Sequence, residues 1–266
     1  MRFWRSLRLI LTANRFHFMA HWSTPAHFWA GVIGMFVNNF LALFGVWAML
    51  FAGKPELAVQ CDAYLVLNLL TMLTFGLLHV FLGGLTELDK QVVDGGLDSV
   101  LVSSRNPLLM MSITQSHLPS WGDVLMGGVG LVILGVRGGF VFSFELLLMV
   151  ICSFIGFACV FTLLGCVPFW FSRPERLNPV LINVVLAFNT YPALLDYPNR
   201  FRWFLVLGPV AVVGLIPTEF LSHPSLSVLA LEVLGVVMVV SLTLVLFSLG
   251  LKRYQSTPMI SLRRGA

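Results

Sequence analysis

The chain has 266 residues, a net charge of +4 and only 11% charged residues against 58% hydrophobic ones. So little charge cannot cover a water-soluble globule of this size, and so much hydrophobicity excludes disorder. What remains is a polytopic membrane protein with room for about six spans of roughly 20 residues each. The basic residues stand beside apolar runs, which points to lipid headgroups and membrane orientation, not to nucleic acid.

Residues 1–26 read as a cytoplasmic, interfacial segment. Arg2, Arg5, Arg8 and Arg15 fall on one arc of a helix, while Phe3, Trp4, Leu7, Ile10, Leu11 and Phe18 fall mostly on the other. The apolar stretch beyond them is too long for a signal peptide, so the segment is read as retained. Residues 16–53 carry no Lys, Arg, Asp or Glu. Pro25 separates the interfacial piece from a first span at 28–51. Lys54, Pro55, Glu56 and Asp62 form a short loop before a second span at 63–86. The longest polar segment is 87–106, with Glu87, Asp89, Lys90, Asp94, Asp98 and Arg105, and it lies in a cytoplasmic segment expected at 87–117.

A third span at 118–136 accepts Asp123 near its start, and Arg137-Gly138-Gly139 reads as a turn. The fourth span is 144–171, followed by a basic loop with Arg173, Pro174, Glu175 and Arg176. Two apolar runs come next, 177–195 and 203–218, split by Asp196-Tyr197-Pro198-Asn199-Arg200. The last span, 226–251, leads into a tail with Lys252, Arg253, Arg263 and Arg264.

With the N-terminus in the cytoplasm, twelve Lys and Arg residues fall inside and four outside, which fixes both termini as cytoplasmic. The number of full crossings is then even, so only one of the two runs crosses. Run 203–218 holds Gly208, Pro209, Gly214 and Pro217. Irregular backbone at membrane depth is tolerated only where protein or water satisfies it. This predicts an outer re-entrant hairpin at 196–225, marked by Pro192, Pro198, Pro209 and Pro217.

Nothing in the chain reads as catalytic or metal-binding. Cys61, Cys152, Cys159 and Cys166 contain no CxxC pair, and the last three, seven apart, share one helix face as a packing pattern. Gly53-Lys54 runs into Pro55, so there is no phosphate loop, and no GxSxG or HExxH occurs. Asp89, Asp94 and Asp98 lack the spacing of a Mg²⁺-binding phosphotransferase motif. Polar residues inside spans mark candidate substrate paths. These are Asn38, Asn39, Asn68, His79, Asn183, Asn189 and Glu232, although for His79 a packing hydrogen bond is the simpler reading. Glu232 lies about 9 Å into the last span at 1.5 Å per residue.

Three stretches in order carry a resemblance. They are Asp94-Gly95-Gly96-Leu97-Asp98-Ser99-Val100-Leu101 with Arg105-Asn106-Pro107-Leu108; Tyr191-Pro192 through Arg202-Trp203 with Pro209 and Pro217; and Gly250-Leu251-Lys252-Arg253-Tyr254-Gln255-Ser256. Together with the span order they resemble the membrane subunit of ABC-2 type exporters, in particular a bacterial ABC-2 permease subfamily formerly of unknown function. Asn106 interrupts the Arg-Pro pair usual in that family.

The resemblance implies an all-α, type V exporter-like fold in one transmembrane domain over 1–266. It has six transmembrane helices, the interfacial helix, a cytoplasmic coupling helix and the re-entrant hairpin. The coupling helix, 97–104, would dock in a groove of a separate ATPase subunit through Leu97, Val100 and Leu101. Asp94, Gly95, Gly96, Asp98, Arg105, Asn106 and Pro107 would flank it, with charges that pair across the contact. ATP and Mg²⁺ would sit on that partner, with no cofactor on this chain. A second permease copy, identical or paralogous, would complete a path for an apolar or amphiphilic substrate across the bacterial cytoplasmic (inner) membrane. The rival is a membrane scaffold or a secondary transporter; inverted repeats and buried ion-binding charges, which the latter would favour, are not legible in the sequence.

Overall fold

A computed structural model describes residues 2–22, 24–53, 58–138, 144–171, 178–190 and 211–254. Among them there is no β-strand, and the helices run as follows: α1 Arg2–Trp22, α2 Pro25–Phe51, α3 Ala58–Leu82, α4 Leu88–Val93, α5 Gly96–Leu101 and α6 Pro107–Ser112. Then come α7 Trp121–Gly138, α8 Phe144–Gly165, α9 Asn178–Thr190, α10 Leu215–Ser222 and α11 Leu226–Arg253. Among the described residues, five stretches are long and apolar enough to cross a membrane: Pro25–Met49, Cys61–Val93, Leu118–Val136, Phe144–Phe169 and Leu226–Arg253. The described part of the run 177–195 is the 13-residue α9. At 1.5 Å per residue it is about 20 Å long, short of a hydrocarbon core of about 30 Å.

Local chemistry sets the boundaries. Pro25 opens α2 in the first turn, where its missing N–H costs nothing. Ser225 caps α11 by accepting from the Val228 N–H at 3.3 Å. The second span departs from its expected bounds. Its α-helix ends at Leu82 and tightens into a 3₁₀ turn, Gly83–Glu87, before α4. The turn is closely packed: a Cβ on Gly83 would meet the Gln115 carbonyl oxygen at 2.9 Å and one on Gly84 would overlap the Met111 carbonyl oxygen.

The central helix is α3. It packs on α7 through Gly76 and Gly127, where an added Cβ would meet Val124 N at 2.9 Å and Leu73 N at 2.5 Å. Small residues at such points let helix backbones approach, which is how apolar helices associate without water to drive them. On its other side α3 meets α8, with Phe75 against Phe157 at 5.7 Å between ring centroids. The ends of α3, α8 and α11 come together on one face. There Leu88, Val92, Leu97, Met111, Cys166, Phe169 and Phe247 form one buried cluster. Helices α4 to α6 lie on that face.

Helix α1 lies against the same face. The Asn14 amide donates to the Phe81 carbonyl at 3.2 Å and the His17 Nε2 meets the Ile113 carbonyl oxygen at 3.1 Å. Arg5, Arg8 and Arg15 are exposed, and so are Trp4, Leu11, Phe16 and Phe18. A helix that shows charge and aromatic rings at once suits the headgroup layer.

Of the residues expected to mark the hairpin, Pro192, Pro198 and Pro209 lie outside the described residues, and Pro217 lies within α10. Ahead of α10, the turn at 211–214 is wholly buried between α8 and α11. Val212 packs where a Cβ on Gly156 or Gly235 would stand, at 3.4 and 2.8 Å. Gly156 is twelve residues into α8, so the turn sits about 18 Å from that helix end. Non-helical backbone at that depth is enclosed by protein, as the membrane requires.

Two glycine substitutions should separate packing from helix propensity. Gly84→Ala should lower the unfolding midpoint of the purified chain in detergent, by an overpacking cost of about 1–3 kcal/mol, since the opposing atoms are backbone. Gly34→Ala meets nothing within 4 Å and should leave the midpoint unchanged or raise it by up to about 1 kcal/mol.

Candidate functional site

The segment from Gly83 to Ser112 is built to sit still. Gly95, at φ +76°, turns the chain from α4 into α5 in a conformation that a side chain would strain. Asn106 caps α6: its Oδ1 accepts from Leu108 N at 2.9 Å and Leu109 N at 3.4 Å, and Pro107 occupies the first turn. The residue that breaks the family's Arg-Pro pair is therefore a helix cap. Its reason is legible in the sequence as Asn-Pro before an apolar run.

The underside of this segment is clamped to the bundle. Leu88 lies on Gly165, where a Cβ would stand 2.5 Å from its Cδ2, and the Phe169 ring lies on Gly250. Phe169 also meets Phe247 and Tyr254, at 6.4 and 6.2 Å between centroids. Across the junction, Asp98 on α5 faces the Tyr254 hydroxyl at the end of α11. Burial, and next the Asp98 carboxylate, push the Tyr254 phenol up to about 12.

One expectation needs correcting. Leu97 does not point outward to a partner, because it is fully buried in the chain's own cluster with Leu88, Met111 and Phe169. At the period of a helix, Leu97 and Val100 turn toward the bundle, and Val100 packs on the same cluster. The outward surface is made by Val93, Leu101 and Val102, the last 89% exposed. Asp94, Gly96, Arg105 and Asn106 are exposed around it, and Gly95, Asp98 and Pro107 are half-buried. Val102 falls inside the expected helix, 97–104, but α5 ends at Leu101, so the helical pattern that singled out Leu97, Val100 and Leu101 does not extend to it.

The polar residues inside the spans do not converge on one path. Asn38 is exposed, while its neighbour Asn39 turns inward and donates to Asp123, buried in the first turn of α7. Asn68 is buried and donates to the Tyr64 carbonyl at 2.9 Å. His79 bonds the Phe75 carbonyl through Nδ1 at 3.0 Å and stands 5.6 Å from His117 between ring centroids. That hydrogen bond stays within α3. Asn183 is exposed on α9, and the Asn189 side chain lies outside the described residues. Glu232 is fully buried in the second turn of α11, a helix that packs on α8 and α10. Cys152, Cys159 and Cys166 are buried along α8 and its end.

An all-helical chain with several membrane-length helices and a clamped polar segment on one face is a multi-pass membrane protein. A family model described as ABC-2 family transporter protein matches residues 39–258. The chain belongs to that family and is a membrane permease component of an ABC transporter. No curated protein and no solved structure matches it.

The Asp98–Tyr254 contact can be read by titration. The folded-state phenol lies above its ordinary ~10, so its contribution to stability is complete below that value and lost as pH rises toward about 12. Asp98→Asn should draw the Tyr254 transition back toward the ordinary range. Ultraviolet difference spectra against Tyr254→Phe would isolate it, and an unmoved transition would show that the two groups do not interact.

Proposed function

We propose that this permease exports an apolar or amphiphilic substrate across the bacterial inner membrane, driven by a separate ATPase subunit that binds ATP and Mg²⁺. The observation that carries the reading is the two-sided build of α4 to α6. One side is packed into the ends of α3, α8 and α11, and the other presents Leu101 and Val102 to solvent. A partner groove that takes these two side chains would hold a body already fixed to three helix ends. Asp94 and Arg105 flank the tip, where rim charges steer and orient a partner more than they bind it.

On this reading the face of α4 to α6 is cytoplasmic, as the distribution of Lys and Arg favours. Helices α8 and α11 both finish on that face, so the chain between Phe171 and Leu226 must change sides. We take α9 as the start of that sixth crossing and α10 as the outer limb of a re-entrant hairpin. The apolar side chains on the outer surfaces of α2 and α11, such as Ile33, Leu41, Leu234 and Leu242, are exposed. Lipid and a second permease copy would cover them, and that copy would complete the path.

Leu101→Asp and Val102→Asp should each weaken co-purification with the cognate ATPase and the ATP hydrolysis it supports. Losing a central apolar anchor costs about 2 kcal/mol or more, roughly thirty-fold in affinity. Both variants should insert and fold, because their side chains face solvent. Capture at wild-type strength by both would place the docking element elsewhere.

The topology has its own test. Single cysteines at Val102 and Ser222, in a chain stripped of its four native cysteines, should react with an impermeant thiol reagent from opposite sides of the membrane. Labelling from the same side would rule out the six-crossing arrangement.

A further inference from the structure

Ser and Thr inside a helix usually return a hydrogen bond to the carbonyl three or four residues back. Thr74, Thr162, Ser222, Ser241 and Thr243 do so here, at 2.7 to 2.9 Å. Thr71 on α3, Ser153 on α8 and Thr218 on α10 do not. Their hydroxyls are sealed from solvent and have no hydrogen-bond partner among the described residues, and the same holds for both carboxyl oxygens of Glu232 on α11. Ser153 and Glu232 are 0% exposed and Thr218 is 1% exposed.

Helix register brings the four to one depth. Helices α3 and α8 run in the same direction, with Phe75 beside Phe157 and Leu78 clustered with Phe161. One turn earlier on each helix stand Thr71 and Ser153. Glu232 is within electrostatic reach of Cys152, the residue before Ser153. Helix α10 climbs from the buried Val212, which is packed on Gly156 and Gly235, toward the starts of α8 and α11. Thr218 stands four residues beyond the turn at 211–214, about 6 Å along α10 at 1.5 Å per residue, as Cys152 and Glu232 stand three to four residues before Gly156 and Gly235.

A carboxylate sealed in hydrocarbon without a donor cannot remain a bare charge. None of the packed helices supplies a counter-charge. Helices α3, α8 and α10 contain no Lys or Arg, and those of α11 are Lys252 and Arg253 at its opposite end. The other titratable groups on these elements are Cys61, Asp62, Tyr64, Glu145, Glu219 and His223 toward the outer ends, the Cys152 and Cys159 thiols along α8, and His79 at the inner end of α3. One negative charge with three neutral hydroxyl oxygens is a set of hard donors matched to a single positive charge. We propose that Glu232, Ser153, Thr218 and Thr71 form an intramembrane site for one monovalent cation, an alkali-metal ion or a proton.

The test uses the full chain in lipid nanodiscs without any ATPase, so it is independent of how transport is energised. Unfolding midpoints are compared in NaCl, KCl and N-methylglucamine chloride at equal ionic strength. Infrared spectra of the same samples report any protonated carboxyl group. If the occupant is an alkali ion, Na⁺ or K⁺ should raise the wild-type midpoint saturably, as ligand linkage requires, and the rise should vanish in Glu232→Gln. If it is a proton, the salts should be equivalent, and a carboxylic-acid carbonyl band should be present in wild type and absent in Glu232→Gln. Should Glu232→Gln fail to fold, Ser153→Ala and Thr218→Val take its place, with a reduced salt response or a shifted carbonyl band expected. A salt response that survives these substitutions without any Glu232 acid band, or the absence of both signals, would overturn the site.

Discussion

Everything on the face of α4 to α6 hangs on how closely the segment after α3 approaches the ends of the spanning helices. Gly165 allows it by lying under Leu88, while Gly84 against the Met111 carbonyl folds the segment on itself and Gly250 under the Phe169 ring draws the end of α8 onto α11. A methyl group at Gly165 would push the segment off its seat. The location decides the energetics. Between helices in hydrocarbon, apolar contact gains little over contact with lipid tails. At the membrane edge, water is the alternative, and burying Leu88, Leu97 or Met111 there is worth about 1.5–3 kcal/mol each. The seat is where the hydrophobic effect still acts on this chain.

Inside the membrane the governing constraint is polar satisfaction. Asn39 reaches from α2 to Asp123 on α7, Trp47 donates to the Cys61 sulfur at 2.9 Å, and the hydroxyl of Thr74 is returned to its own helix. The buried turn at 211–214 obeys the same rule: the Ile216 N–H bonds the Ala211 carbonyl at 3.1 Å and the Thr218 N–H bonds the Gly214 carbonyl at 2.9 Å. Against that background stand the buried oxygens without a hydrogen-bond partner among the described residues: Asn14 Oδ1, Asp123 Oδ2 and the Tyr254 hydroxyl singly, and those of Thr71, Ser153, Thr218 and Glu232 on α3, α8, α10 and α11. Helix register, not number, is what sets the last four together.

The spans were legible because apolar run length is a strong signal, and the Leu118–Val136 stretch matches its sequence bounds. The orientation of single side chains within a mixed segment was not. Leu97, Val100 and Leu101 share one helical pattern, yet two faces of α5 are apolar, one for the bundle and one for solvent. Hydrophobicity does not tell them apart. Asn38 and Asn39 are adjacent in sequence and diverge for the same reason, since only the position of α7 decides which one is inside. Glu232 stood out by charge alone, whereas Thr71, Ser153 and Thr218 carry no signal until the missing hydrogen bonds single them out. The glycines at 83 and 84 were passed over because their neighbours, Met111 and Gln115, lie far along the chain.

The seat and the buried polar level are joined by two stiff rods. Leu88 and Phe169 bind the segment to the ends of α8 and α11, and the same two helices enclose Val212 and Glu232 farther in. A force applied at α4 to α6 is therefore borne by helices with no soft joint in between. Neither Phe144–Gly165 nor Leu226–Arg253 contains a proline; of their glycines, Gly165 and Gly250 face Leu88 and Phe169 at the seat, and Gly156 and Gly235 face the Val212 side chain. The Val212 contacts lie partway along both rods, and the short α10 is wedged beside them. If α8 and α11 separate at the seat, the gap must be taken up where they grip α10. That is the level at which Glu232 has no protein partner to hold it in place.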